Sequence, residues 1–196
     1  MNNDDSPVHA DHRIQREFPQ NVRFCALCGG AMRMRTVKPD YKRFKVCDRC
    51  GFVHFPSPKL VAGCLVIERG RVLLEHQYRH AAQSMMWELP AGRIDDGERE
   101  LAAAKRELLE ETGYTARSWR KILHFYVSPG FLDETMTIYL ARELKAGRAQ
   151  PEADEKIEVH FFSLAATQQM VLTGRIRDAK TIAGILWLAR KSSMKA

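Results

Sequence analysis

The chain has 196 residues and a mass of 22.5 kDa, enough for one sizeable core and a small appended module but not for two full-sized domains. Hydrophobic residues make up 45% of it and charged residues 28%, which excludes a wholly disordered or fibrous chain. The net charge of +7 is not evenly spread: residues 1–56 carry ten Lys/Arg against six Asp/Glu, residues 57–145 thirteen of each, and residues 146–196 eight against five. An excess of that size steers nucleic acid or phosphorylated small molecules toward a surface, and equally serves as a plain solvated surface. The longest nearly apolar run, Leu60 to Ile67, is far too short for a bilayer span, and no basic stretch leads into an apolar core at the N-terminus. No membrane partner is expected, and a cytoplasmic location is.

Residues 1–20 are polar with no sustained apolar period and read as an N-terminal arm. Two CxxC pairs follow, Cys25 with Cys28 and Cys47 with Cys50, each trailed directly by a glycine, Gly29 and Gly51. Paired knuckles at this spacing predict a structural Zn2+ held by four thiolates, with a ribbon over residues 21–56; redox or simply buried cysteines are the alternatives. Four thiolates leave no open coordination position, so such a metal holds the fold and does not act on substrate. They also give the bound metal a formal charge of about −2, so part of the basic excess before residue 57 only balances it. Pro56-Ser-Pro58 marks the exit.

Beyond residue 57 the pattern becomes that of an α/β domain. Leu60 to Glu68 reads as a buried strand, Arg69-Gly70 as a hairpin turn and Val72 to Tyr78 as the returning strand. Cys64, inside the first strand, reads as core. Residues 98–112 are helix formers with Gly113 at the position of a left-handed cap, and Leu101, Ala104 and Leu108 form an apolar stripe. Further strands are expected at Arg120 to Val127, Thr135 to Leu144 and Ile157 to Phe162. The last segment, GRIRDAKTIAGILWL, reads as an amphipathic helix with Ile182, Ile185, Leu186 and Ala189 facing inward.

Glu107, Glu110 and Glu111 fall at i, i+3 and i+4 of the first helix, with Cβ atoms about 5–6 Å apart. Like charges that close repel one another, and a bound divalent cation is the physical reason to tolerate them. Oxygen ligands without a nearby histidine or thiolate favour Mg2+ or Mn2+.

The run from Gly92 through Glu98, Arg106, Glu107, Leu108, Glu110, Glu111, Gly113 and Tyr114 resembles the Nudix hydrolase signature at every specified position. The resemblance covers about residues 57–196. It implies an α/β/α sandwich around a mixed sheet and Mg2+-assisted hydrolysis of a nucleoside diphosphate linked to another group. It also implies that Glu107, Glu110 and Glu111, with the carbonyl of Ala91, hold the metal, and that Arg106 orients those carboxylates. Glu98 is the outlying acid, supporting the loop or a further metal. Pro129, sixteen residues after Gly113, the loop SPGFLDE, the WELPAG run and QYRH at Gln77 to His80 resemble the ADP-ribose pyrophosphatase subgroup. From that likeness Arg79 and Pro129 are expected to bind substrate, Arg79 at the pyrophosphate, and Glu134 to act as general base, completing a catalytic set with Arg106 and Glu98; Asp133 is the nearest rival to Glu134. The expected reaction takes ADP-ribose to AMP and ribose 5-phosphate, in a homodimer.

One feature departs from the subgroup, which usually carries a strand-rich N-terminal subdomain where this chain has a ribbon. A ribbon ahead of a Nudix domain resembles NADH pyrophosphatases and certain FAD or ADP-ribose hydrolases, although the SQPWPFPxS run of the former is absent between Thr115 and Phe131. NADH or FAD is therefore the second substrate reading. The third is an RNA-binding or cap-processing protein, with Tyr41 and Phe44 of KPDYKRFK as stacking residues; such residues more often close a small ribbon's core.

Overall fold

The computed structural model describes residues 22–38, 42–54, 60–95, 97–130, 134–149 and 157–193. The arm at 1–20, Pro56-Ser-Pro58, Tyr41 and Asp133 fall outside the described residues. These form two compact units, one from the cysteine-rich segment and one from Leu60 onward.

The small unit is a three-stranded sheet in the order β1 (Met32–Val37), β2 (Lys42–Cys47), β3 (Val53–His54). Its core is tiny, with Cys25, Met32 and Cys47 buried and Val22, Cys28 and Phe52 packed on them. A core this small cannot hold three strands unaided, which leaves a structural task for a metal.

The large unit runs β4 (Leu60–Glu68), β5 (Arg71–Arg79), β6 (Ser84–Glu88), β7 (Ala91–Arg93), α1 (Glu100–Thr112), β8 (Tyr114–Tyr126), β9 (Thr135–Ala146), β10 (Glu158–Ser163), α2 (Leu164–Leu172) and α3 (Ala179–Ser193). The sheet order is β10-β5-β4-β9-β8, with β6 added to β5 and β7 to β4. Only β4 and β9 pair in parallel among these contacts, so the sheet is mixed as expected.

Alternation along the central strands explains the layering. Val61 and Leu65 of β4, with Val72 and Leu74 of β5, pack with Met170, Ile185 and Leu188 of α2 and α3. Ala62, Cys64 and Val66, with Leu73, face α1 through Ala103, Ala104 and Leu108. A strand buried on both faces reads as a continuous apolar run, which is what residues 60–67 show.

The β4–β5 hairpin turns at Arg69 and Gly70, both at positive φ (49° and 74°), the geometry of a tight turn matched to strand twist. Helix α1 starts two residues later than expected and ends on Gly113 at φ 74°. Strand β8 begins at Tyr114, six residues before the expected start. Its first half pairs with β9 from Ala146 back to Arg142, and this pairing outweighs the polar sequence there. One expectation for α3 is corrected. Ile185 is fully buried, but Leu186 is 48% exposed, and Thr181, Gly184 and Leu188 complete the inward face. The stripe is rotated from the expected one because the N-terminus of α3 is anchored by polar contacts.

Candidate active site

The cysteines come together first. Cys25 Sγ lies 3.6 Å from Cys50 Sγ, and Cys28 Sγ lies 3.5 Å from Cys47 Sγ. All four sulfurs fall within 4.8 Å of one another. Four sulfurs on tetrahedral corners around zinc, at ~2.3 Å each, stand ~3.8 Å apart, so the set fits a tetrahedral ion. Gly29 and Gly51 adopt positive φ (69° and 73°), and their N–H groups donate to the carbonyls of Cys25 and Cys47. That turn aims the N–H of Leu27 at Cys25 Sγ (3.4 Å) and those of Arg49 and Cys50 at Cys47 Sγ (3.4 and 3.5 Å). The backbone donors at Cys50 and Arg49 lower the Cys47 thiol to about 6. Cys50 also receives a lowering backbone contact, at Phe52, yet crowding by Cys28, burial, Cys47 and Cys25 pushes it up to about 12. The four sulfurs are the group of His, Cys, Asp or Glu ligand atoms that converges so tightly among the described residues.

The signature segment is arranged differently. Strand β7 pairs with β4 through Cys64 N–H to Pro90 O (2.9 Å) and Ile94 N–H to Leu60 O (3.1 Å), so alternate residues 91 and 93 turn their polar groups off this ladder. Both meet α1. Ala91 N–H donates to Glu111 Oε2 at 3.0 Å, and Arg93 O accepts from Arg106 Nη2 at 2.8 Å. The same alternation turns the Ala91 carbonyl away from β4, to the side where a cation held by Glu111 would sit. Gly92 lies under Glu107 so closely that a Cβ there would stand 2.1 Å from Glu107 Oε1. A glycine is required for this carboxylate to rest on the strand.

Arg106 ties the acids together. Its guanidinium donates to Glu98 Oε1 (3.1 Å) and Oε2 (2.9 Å), to Glu107 Oε1 (2.7 Å) and to Glu110 Oε2 (3.0 Å). These carboxylates keep it protonated well above the usual arginine range. Glu98 is held below the usual carboxylate range by Arg106 and also accepts Asp95 N–H at 3.1 Å, which closes the loop before α1. Glu98 thus sits as a loop-supporting acid, while Glu107, Glu110 and Glu111 are 13%, 41% and 7% exposed and spread along one edge of the helix.

The remaining expected residues lie around this edge. Pro129 is in an exposed turn after β8, and Glu134 is half-buried, its carbonyl accepting Val127 N–H (3.0 Å) across the base of the loop. Leu60 pairs with Thr135 on one side and bonds Ile94 on the other. The Glu134 loop and the loop before α1 therefore open at the same end of the sheet, on strands about 10 Å apart. Arg79 gives two of its donors to Glu88, Nε to Oε1 and Nη2 to Oε2, both at 2.8 Å, and its side chain remains 39% exposed.

The sequence reading missed a buried polar row beside these groups. Glu88, 3% exposed, bonds Lys180 as well as Arg79, and Lys180 reaches Asp178 at 3.1 Å. Burial alone would raise Glu88, but the charges of Lys180 and Arg79 hold it down at about 2. Asp178 caps α3 by accepting from Thr181 N (2.9 Å) and Thr181 Oγ1, and the hydroxyl oxygen of Thr181 accepts Leu89 N–H (2.9 Å). Opposite Glu88 on β5 stands Glu75, fully buried and pushed up to about 8 by burial. A charge inside the run VLLEHQYR was its only visible sign.

The comparisons agree with this geometry. The family model described as NUDIX domain matches residues 57–184, and the one described as Nudix N-terminal matches residues 23–55. The chain belongs to the Nudix family and is a Nudix hydrolase with an N-terminal zinc ribbon. It is 38% identical over 141 residues to the ADP-ribose pyrophosphatase of Bacillus subtilis (strain 168), covering 71% of this chain and 76% of that one. It is 35% identical over 136 residues to the ADP-ribose pyrophosphatase of Mycobacterium tuberculosis, covering 68% and 64%. Among solved structures it resembles an ADP compounds hydrolase at a TM-score of 0.65 with 18% identity, covering 85% of this chain and 95% of that one. That likeness concerns the fold alone.

Proposed function

We propose that the enzyme hydrolyses ADP-ribose to AMP and ribose 5-phosphate with Mg2+ or Mn2+ at the α1 edge, and that a structural Zn2+ occupies the four cysteines. The observation that carries the reading is the meeting of α1 with the off-ladder side of β7. There Glu111 accepts Ala91 N–H, Glu107 rests on Gly92 and Arg106 joins Glu107 to Glu110, so the acid oxygens lie along one edge of the helix. An all-oxygen set of this kind suits a hard divalent cation. When bound, that cation supplies charge to the pyrophosphate oxygens and to the attacking water.

In this reading Glu107, Glu110, Glu111 and the Ala91 carbonyl are the ligands, and Arg106 keeps Glu107 and Glu110 turned toward them. Arg79, with donors beyond the two it gives Glu88, binds the pyrophosphate oxygens. Glu134 takes the proton of the water that attacks phosphorus. The bond from that phosphorus to the bridging oxygen breaks, the bridging oxygen leaves on the other phosphate with the bonding electron pair, and water's oxygen ends on the attacked phosphorus. Glu98 and Pro129 act through the loops they shape. The relatives at 38% and 35% identity favour ADP-ribose as the substrate. The assembly we propose is a homodimer, which light scattering would report as twice the 22.5 kDa chain mass.

The test is kcat/KM with Mg2+ for ADP-ribose, NADH, FAD and capped RNA measured side by side. ADP-ribose is expected to give the highest value, because specificity is a ratio of transition-state affinities. A higher kcat/KM for NADH or FAD would mean that the ribbon marks substrate better than the loop after the signature helix.

A further inference from the structure

The acids around α1 and the strands beside it differ in one respect. Glu88 has Arg79 and Lys180, Glu98 has Arg106 twice, Glu107 and Glu110 share Arg106, and Glu111 has the Ala91 N–H. Glu75 is 0% exposed, and neither Oε1 nor Oε2 has a hydrogen-bond partner. Leaving a buried acceptor unmet is costly, and more so if it is charged.

Its surroundings point to what would meet it. Glu75 follows Leu73 by two residues on β5, so it projects to the side of the sheet that carries Cys64 and α1. The Glu111 carboxylate acts on Glu75 from α1, and burial, followed by the charges of Glu75, Glu111 and Glu107, pushes the Cys64 thiol up. Two carboxylates facing each other both accept, and neither donates. Arg79 and Lys180, the nearest cations, are committed to Glu88, the cross-strand neighbour of Glu75. The side of Glu75 that neither cation covers is therefore the Glu111 side, toward the acids of the signature helix.

We propose that Glu75 is a further ligand of the divalent-cation centre, closing it from β5 opposite Glu111. This rests on the reading that the signature helix holds a cation. It extends the donor set from the helix and β7 to a second strand, and it places an anionic ligand in the dry interior where a cation is held more strongly than at the exposed Glu110. A ligand at that depth explains why a carboxylate interrupts the apolar alternation of β5.

The rival occupant is a proton shared between Glu75 and Glu111, and glutamine separates the two. Its amide reproduces a protonated acid's donor and acceptor but not the charge. The experiment titrates Mn2+ into the zinc-loaded full chain without substrate and follows free Mn2+ by electron paramagnetic resonance, for wild type, Glu75→Gln, Glu75→Met and Glu111→Gln. Thermal unfolding is recorded with and without Mn2+. Both Glu75 variants are expected to weaken Mn2+ binding tenfold or more and to lose most of the Mn2+-induced rise in Tm, while their metal-free Tm stays at or above that of wild type. Glu75→Met, a buried apolar side chain of similar length, keeps the test available if the glutamine variant folds poorly. Wild-type Mn2+ affinity in a folded Glu75 variant overturns the inference. If Glu111→Gln then still weakens binding, only Glu75 is misassigned; if it too binds as wild type does, the helix was never the cation site.

Discussion

The ribbon gathers ligands for a metal and, on the function proposed above, the signature helix holds a second cation; the two prepare for them in opposite ways. In the ribbon the four ligand atoms are already gathered within 4.8 Å, with facing sulfurs 3.5–3.6 Å apart and backbone donors aimed at them. At the helix the acids are spread along one edge and held by an arginine that touches three of them. A closed set of four has no position left for substrate, whereas a spread set leaves coordination positions to the pyrophosphate and water. On the proposed reading, the difference between a structural and a catalytic metal lies in whether the ligands meet each other or a cationic side chain.

The largest effect expected is at the open centre. Glu111→Gln removes one charge with little change of size and leaves the Ala91 N–H an acceptor in the amide oxygen. It should lower kcat by at least ~100-fold, about 3 kcal/mol of transition-state stabilisation, with an unchanged circular dichroism spectrum. Activity near wild type at saturating Mg2+ would break the comparison, since the helix would then be as closed to substrate as the ribbon.

The closed centre should answer differently. Cys47→Ser removes a buried sulfur that accepts two backbone N–H groups. Zinc content by mass spectrometry is expected to fall well below one per chain and amide exchange in residues 23–54 to accelerate. Exchange in β4, β5 and β9 is expected to keep its protection.

An effect on stability rather than on turnover tests the polar row beside the signature helix. Folded Glu88 stays ionised down to about pH 2, below its ordinary 4.5. Its contribution is therefore fully present above the unfolded-state value and is lost as pH falls from there toward 2. Lys180→Met should cost roughly 3–5 kcal/mol at pH 7, because it leaves a buried carboxylate with one cation fewer. Urea unfolding should show the gap between variant and wild type narrowing from pH 5 to pH 3. A gap that is constant with pH would mean that lost packing, not charge, accounts for the change.

How much of this was legible before the structure depends on how a feature announces itself. The β4 strand, its turn and α1 declare themselves by period and by glycine, and Leu60–Glu68 falls on the expected limits. Strands β6 and β7, five and three residues long, carry too little pattern and lie inside a run read for its likeness to a subgroup. Leu186 was placed inward because apolar residues surround it on α3, and only the anchoring of Asp178 and Thr181 decides the rotation. Glu107, Glu110 and Glu111 were visible from helical spacing. Glu75 and Lys180 were not, because a single charge acquires meaning only from a neighbour on another element, 13 residues away across β5–β6 for Glu75 and 92 away for Lys180.

The account is tested most directly by assaying ADP-ribose cleavage on protein that retains its ribbon zinc after exhaustive removal of Mg2+ and Mn2+, then restoring one of them. Zinc-loaded protein is expected to be inactive, with full turnover on adding Mg2+ and no change in zinc content. Full turnover with the ribbon zinc as the sole metal would contradict the division between a closed structural centre and an open catalytic one.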